Sequence, residues 1–156
     1  MSVNTSPILP CLWLPANIEE AIAFYVRLFE DAEVRHVQKM PDGSVLAIRF
    51  RVRNQEFLAL GGRPDGAPTD VVSFQIDCAD QAEVDHFWDG LVAGGGKEIM
   101  CGWLRDRFGV TWQVVPSMMP GLLSRPDQAG AQRAFQAMMK MKKLVIADLE
   151  AAYRGE

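Results

Sequence analysis

The residues able to do chemistry in this chain are few, and most of them are neutral. There are two histidines, His36 and His86, and three cysteines, Cys11, Cys78 and Cys101. Neither histidine falls in an HxH or HExxH spacing and no cysteines are spaced CxxC, so no metal-binding motif is present. His86 lies between Asp85 and Asp89 in a helical stretch, off its apolar face, and His36 stands alone on a strand. Both read as structural or solvent-facing. The three cysteines read as reduced and mostly buried. What remains is a set of amides and hydroxyls on strand-like segments: Ser73, Gln75, Thr111 and Gln113. Such groups orient a ligand through hydrogen bonds. Glu56 is the nearest candidate base, and that role requires burial to raise its proton affinity.

The elements that carry these residues occur twice. Ala16, Asn17, Glu20, Phe24, Tyr25 and Leu28 are followed, 63 positions on, by Ala79, Asp80, Glu83, Phe87, Trp88 and Leu91. Each set opens a helix behind an apolar run, with a capping-box spacing at Asn17/Glu20 and at Asp80/Glu83. In the first copy the pattern predicts a strand over 8–15, a helix over 18–30, and strands over 33–40, 44–53 and 56–61, with a turn at Pro41-Asp42-Gly43. In the second it predicts a strand over 71–78, a helix to Ala93 stopped by Gly94-Gly95-Gly96, and short strands over 97–102, 103–107 and 110–115. Each copy is therefore βαβββ, an internal repeat that makes the fold α+β, two tandem modules forming a curved mixed sheet. The modules span 1–66 and 67–116, joined through the glycine- and proline-rich GGRPDGAPTD. Residues 117–156 form a helical extension, with Ser124 as a helix cap and an apolar stripe of Phe135, Met138, Met139 and Leu144. That stripe either offers an adaptable partner surface or seals the core or a dimer contact.

Bulk composition narrows the function. The chain has 156 residues, 49% of them hydrophobic, and a net charge of −4. An acidic balance argues against a nucleic-acid surface. No apolar run reaches the ~18 residues of a membrane span, and MSVNTSPILP lacks the basic and apolar regions of a secretory signal. The expectation is a cytoplasmic protein without nucleic-acid or membrane partners.

Paired βαβββ modules resemble the vicinal oxygen chelate superfamily, which includes glyoxalase I, extradiol dioxygenases and bleomycin-resistance proteins. The stretches LPCLWLPANIEEAIAFYVRLF, QEFLALGG, VVSFQIDCADQAEVDHFWDGL, CGWLRDRFGVTWQVVP and QRAFQAMMKMKKLVIADLEAAY are similar to the PhnB-like group, whose domain carries a demethylubiquinone methyltransferase label. The resemblance implies a ligand in a cleft between the modules and a homodimer. In metal-using members four ligands, usually His, Gln or Glu, come from the first and last strand of each module. Carried onto this chain they fall on Pro10, Leu58, Ser73 and Gln113. A catalytic divalent ion normally needs about three good protein ligands; here only Gln113 is serviceable, so no metal and no cofactor are expected. The methyltransferase label fares no better. Adenosine-bearing methyl donors are usually held by a glycine-rich loop after a first strand, and here that strand ends in LPAN.

Strand parity then lines the cleft. Ser73, Gln75, Thr111 and Gln113 form a polar wall, and Pro10, Leu12 and Leu58 an apolar one. Arg49 and Arg51 share a strand face that is either an anion site or a solvated surface. Trp103, alternating with Arg105, either stacks on a ligand or serves as a core or interface aromatic. Arg105-Asp106-Arg107 reads as a local ion-pair cluster. The sequence thus points to a metal-free small-molecule-binding homodimer. The alternatives are a superfamily enzyme, with an unusual metal site or with metal-free acid–base chemistry, and a structural dimer with no ligand.

Overall fold

A computed structural model describes residues 8–15, 17–63 and 69–156. Ala16, the first seven residues and the expected module boundary at 66/67 lie outside the described residues. The chain divides into two compact units, Met1–Ala67 and Pro68–Glu156.

The first unit runs β1 (Cys11–Trp13), α1 (Ile18–Leu28), β2 (Glu33–Lys39), β3 (Val45–Val52) and β4 (Gln55–Leu60), with sheet order β1-β4-β3-β2. Helix α1 starts where the Asn17 side chain accepts from the Glu20 amide at 3.1 Å, satisfying one of the orphan donors of the first turn. Its apolar stripe of Ile18, Ala21, Ile22 and Tyr25 is buried against one face of the sheet. There Phe50 stacks between Tyr25, at 6.1 Å, and Phe57, at 5.3 Å. Gly43, at φ +87°, makes the β2–β3 turn, which Asp42 braces by accepting from the Ser44 amide at 2.9 Å.

The second unit repeats the order: β5 (Phe74–Cys78), α2 (Gln81–Val92), β6 (Lys97–Glu98), β7 (Trp103–Arg105) and β8 (Thr111–Pro116), with sheet order β5-β8-β7-β6. Asp80 accepts from the Glu83 amide at 2.9 Å, and Glu83 reaches back to the Ala79 amide at 2.6 Å. Trp88, the counterpart of Tyr25, is fully buried and its indole donates to Glu98. The expectation for both units holds: each is βαβββ, with one helix on one sheet face.

Three helices follow: α3 (Met119–Leu123), α4 (Gln128–Lys140) and α5 (Ile146–Arg154). Met119, Leu122, Ala134, Leu144 and Leu149 form their own core, against which Met138 and Tyr153 pack. Ser124 does not cap α4 as expected. It closes α3, donating to the Pro120 carbonyl at 2.7 Å, and Asp127 stands at the N-cap of α4. Phe135 and Met139, half of the expected stripe, are exposed.

Gln81 ties this extension to α2. Its amide oxygen accepts from the Ile146 amide at 2.8 Å, and its nitrogen donates to the Leu144 carbonyl at 3.1 Å and to Asp85. Lys143 adds ion pairs to Asp85 and Asp89 at 3.0 and 3.2 Å. Gln81→Ala removes the two backbone contacts at once, and stability should fall by about 1–3 kcal/mol. Exchange of the Ile146 amide with solvent should accelerate at least tenfold. Unchanged exchange would show that the helices hold without this tether.

Candidate functional site

In the second unit, strand register gathers the expected polar residues on the sheet face opposite α2. Gln75 pairs with Gln113, Gln113 with Trp103, and Thr111 with Arg105. The alternate residues Phe74, Ile76, Leu104, Trp112 and Val114 face the helix, where all but Phe74 are buried. The open face therefore carries two rows. Gln75, Gln113 and Trp103 make one; Thr111 and Arg105, with Ser73 level with Thr111 just before β5, make the other.

Hydrogen bonds set the orientation of these side chains. Gln113 donates through Nε2 to the Ser73 hydroxyl at 2.9 Å, which leaves its carboxamide oxygen free to accept. Gln75 donates to Asp77 at 2.8 Å. Thr111, only 3% exposed, donates to Asp70 at 2.8 Å, and the same carboxylate oxygen takes Arg105 Nη2 at 2.6 Å. These bonds, the Arg105 one first, hold the Asp70 carboxyl below the usual aspartate range. Among the described residues Arg105 Nε is buried without a hydrogen-bond partner, a donor that calls for an explanation.

In the first unit the open face differs from the expectation. Leu58 lies on it beside Arg49 and Cys11, but Leu12 pairs with Ala59 and so faces the helix side with it. The reason is a one-residue difference in the connections. The helix caps Asn17 and Asp80 are 63 positions apart, whereas the strand equivalents Cys11 and Gln75, each paired to the last strand of its unit, are 64 apart. One residue of slip exchanges the faces of a strand. The open positions are accordingly Cys11 and Trp13. By the same alternation Pro10 belongs with Leu12, and its carbonyl accepts from the Leu58 amide at 2.9 Å. This also corrects the expected burial of Cys11, which is exposed because it lies on the open face.

Arg49 donates through both Nε and Nη2 to one oxygen of Glu56, and Arg35 lies 3.6 Å from the other. Arg51 pairs with Glu33 at 3.3 Å and donates to the Arg53 carbonyl at 2.7 Å. A general base needs a carboxylate withdrawn from water and from cations. Glu56 is 27% exposed and held by two guanidinium groups, so the candidate role is not supported. The Arg49 face is a salted, partly solvated surface.

Of the positions to which the resemblance assigns metal ligands, in the first unit Pro10 falls on the helix side with Leu12 and the Leu58 side chain has no donor atom; in the second unit Ser73 and Gln113 are bonded to each other. Neither pair fits a divalent ion. Among the described residues, no group of three or more His, Cys, Asp or Glu side chains could hold one either. His36 and His86 are both exposed.

Sequence reasoning missed two participants. Asp70 falls in the aperiodic linker, which carries no parity signal. Asp106, expected in a surface ion-pair cluster, is 4% exposed and turns to the helix side. It accepts from the amides of Phe108 and Val110 and from the Trp112 indole, at 2.9, 3.0 and 2.9 Å. An Asp followed after two residues by Gly and then by Trp at a strand start was the available signal.

Solved structures with similar folds include a PhnB protein from Bacillus cereus, named for 3-demethylubiquinone-9 3-methyltransferase. It is 24% identical, with 71% of this chain and 99% of that one covered and a TM-score of 0.61. The protein PA1353 from Pseudomonas aeruginosa is 20% identical over 70% and 96% of the chains, TM-score 0.57. The fosfomycin resistance protein FosX from Listeria monocytogenes is 16% identical over 79% and 100%, TM-score 0.59; a further FosX structure holds Mn(II) and sulfate. No curated protein matches the chain. The family model described as 3-demethylubiquinone-9 3-methyltransferase matches residues 6–115. With that match, and with the glyoxalase fold shared with these structures, this chain belongs to the 3-demethylubiquinone-9 3-methyltransferase family.

Proposed function

We propose that this protein is a metal-free, small-molecule-binding homodimer of the cytoplasm that takes its ligand on the open face of β5, β7 and β8. One observation carries the reading: Ser73, Gln75, Gln113 and Trp103 share that face beside the Asp70–Arg105–Thr111 cluster. Amide and hydroxyl groups next to a half-buried indole suit a small molecule with one flat apolar part and one carbonyl or acidic group. The buried Arg105 Nε is the donor such a group would satisfy after a small shift of the side chain.

Cys11, Cys78 and Cys101 form no disulfide, which suits a reducing compartment. Exposed Val34, Val37, Met40 and Leu46 around β2 and β3 give a surface for the second copy. The methyl transfer in the family's name is not part of this reading. The chain after β1 and after β5 runs directly into an Asn- or Asp-capped helix, without the glycine-rich turn that holds an adenosine-bearing donor. At the positions where the resemblance puts metal ligands, Leu58 offers no donor atom and Ser73 and Gln113 are bonded to each other.

The test is a ligand screen by amide and indole NMR shifts, using small carboxylic acids, quinones and phosphonates, each with EDTA and with added Mn(II). Shifts at Gln75, Trp103 and Gln113 in the presence of EDTA are expected. Binding that appears only with Mn(II), or shifts confined to other surfaces, would refute the reading.

A further inference from the structure

The carboxylate of Asp70 is placed as a ligand's would be. It stands in the irregular stretch before β5, where Val71 is 90% and Val72 60% exposed. A segment that buries so little apolar area is held by few contacts. The Asp70 side chain nonetheless reaches two donors of the open face through one oxygen. Oδ1 accepts from Arg105 Nη2 at 2.6 Å and from the Thr111 hydroxyl at 2.8 Å. Both donors are largely withdrawn from water: Thr111 is 3% exposed and the Arg105 side chain 20%, against 51% for Asp70. A half-exposed acid from outside the sheet thus caps an arginine and a threonine that are paired across β7 and β8.

The cap is incomplete. On a guanidinium, Nε–H and one N–H of Nη2 point the same way and form a fork that matches the two oxygens of a carboxylate. Asp70 fills only the Nη2 prong. The Nε prong is buried and, among the described residues, without a partner. We propose that Arg105 and Thr111 form a subsite for a carboxylate of the ligand, and that Asp70 fills it in the ligand's absence as an internal competitor. This rests on the reading of the open face given above and adds the charge of what that face takes and the contact that holds it closed. A ligand carboxylate on both prongs makes the bond that Asp70 leaves unmade. The displaced Asp70 side chain, already half in water, loses an ion pair of the kind that contributes little. One carboxylate replaces another, so the guanidinium stays paired before and after the exchange.

The test titrates the full chain with benzoate, and with benzamide as its uncharged counterpart, followed by proton–nitrogen NMR. Benzoate should move the Arg105 Nε–H resonance downfield and slow its exchange with solvent; benzamide should do neither. Asp70→Asn keeps the shape and removes the competing charge, and benzoate should then bind at least about fivefold tighter. Arg105→Lys keeps the charge without the fork and should weaken benzoate at least about fivefold. Asp31→Asn, which removes an exposed charge in the first unit, should leave the affinity unchanged. Backbone amide spectra of each variant separate a lost subsite from a lost fold. Equal or weaker benzoate binding in Asp70→Asn would make Asp70 a brace for Arg105 and overturn the proposal, as would benzamide binding as tightly as benzoate or no benzoate binding at all. The wider reading answers on other resonances. Shifts at Gln75, Trp103 and Gln113 without a response at Arg105 Nε keep the open face and remove the carboxylate subsite; a response at Arg105 Nε alone does the reverse.

Discussion

Replacing Asp106 by alanine should lower the stability of the second unit by about 3–5 kcal/mol, a large share of the total for a domain of this size. The residue sits at the joint of β7 and β8. Its backbone amide donates to the Val110 carbonyl at 2.9 Å and its own carbonyl accepts from Gly109 at 3.0 Å. Its carboxylate then receives two more amides and the Trp112 indole. Alanine keeps the backbone pair and strands all three side-chain donors, two of them buried. Each buried donor left unsatisfied costs about 1–3 kcal/mol. Asparagine should fall between: its oxygen can still take the Phe108 and Val110 amides, but its NH2 then faces the Trp112 N–H donor to donor. Urea unfolding followed by tryptophan fluorescence measures the order Asp, Asn, Ala. Alanine within 1 kcal/mol of the parent would sink the account. The consequence reaches function, because this hairpin sets the register that puts Thr111 beside Arg105 and Gln113 beside Trp103.

The same hairpin shows what was legible in the sequence. In the second unit, alternation over 73–78 and 111–115 separates polar from apolar side chains, and a Phe-Gly turn marks the return, so the open face follows from parity alone. The first unit defeats the same reasoning. Its helix repeats at 63 positions and its strand at 64, because the β1–α1 connection is one residue longer. A shift read from the strongly patterned helix therefore assigns Leu12 to the wrong face and overlooks Trp13. The carboxylates fail for another reason. Partners such as Asp70 sit in segments without periodicity, and only tertiary closure brings them to Arg105 and Thr111. Glu56 shows the converse. Its position was legible, but the guanidinium groups of Arg49 and Arg35 that hold it come from neighbouring strands, Arg35 from one whose register carries a bulge.

Gln113→Leu should cost the fold less than about 1 kcal/mol, since the change is close to isosteric and Ser73 can turn its hydroxyl to water. Its effect on ligand binding should be far larger. Gln113 stands at the centre of the open face, with Gln75 on one side, Trp103 on the other and its carboxamide oxygen unopposed by the Ser73 bond. A ligand donor bonded there loses its partner in the variant and is buried unsatisfied, at about 1–3 kcal/mol, or roughly 5- to 150-fold in Kd. Ser73→Ala gives the complementary result. It frees the Gln113 amide to rotate, so binding should weaken severalfold, and the double variant should be little worse than Gln113→Leu alone, because the serine acts through the glutamine. Titration of any hit from the screen against the four proteins of this cycle reads the coupling directly. Additive losses would separate the two residues, and unchanged affinity in Gln113→Leu would move the ligand off this face.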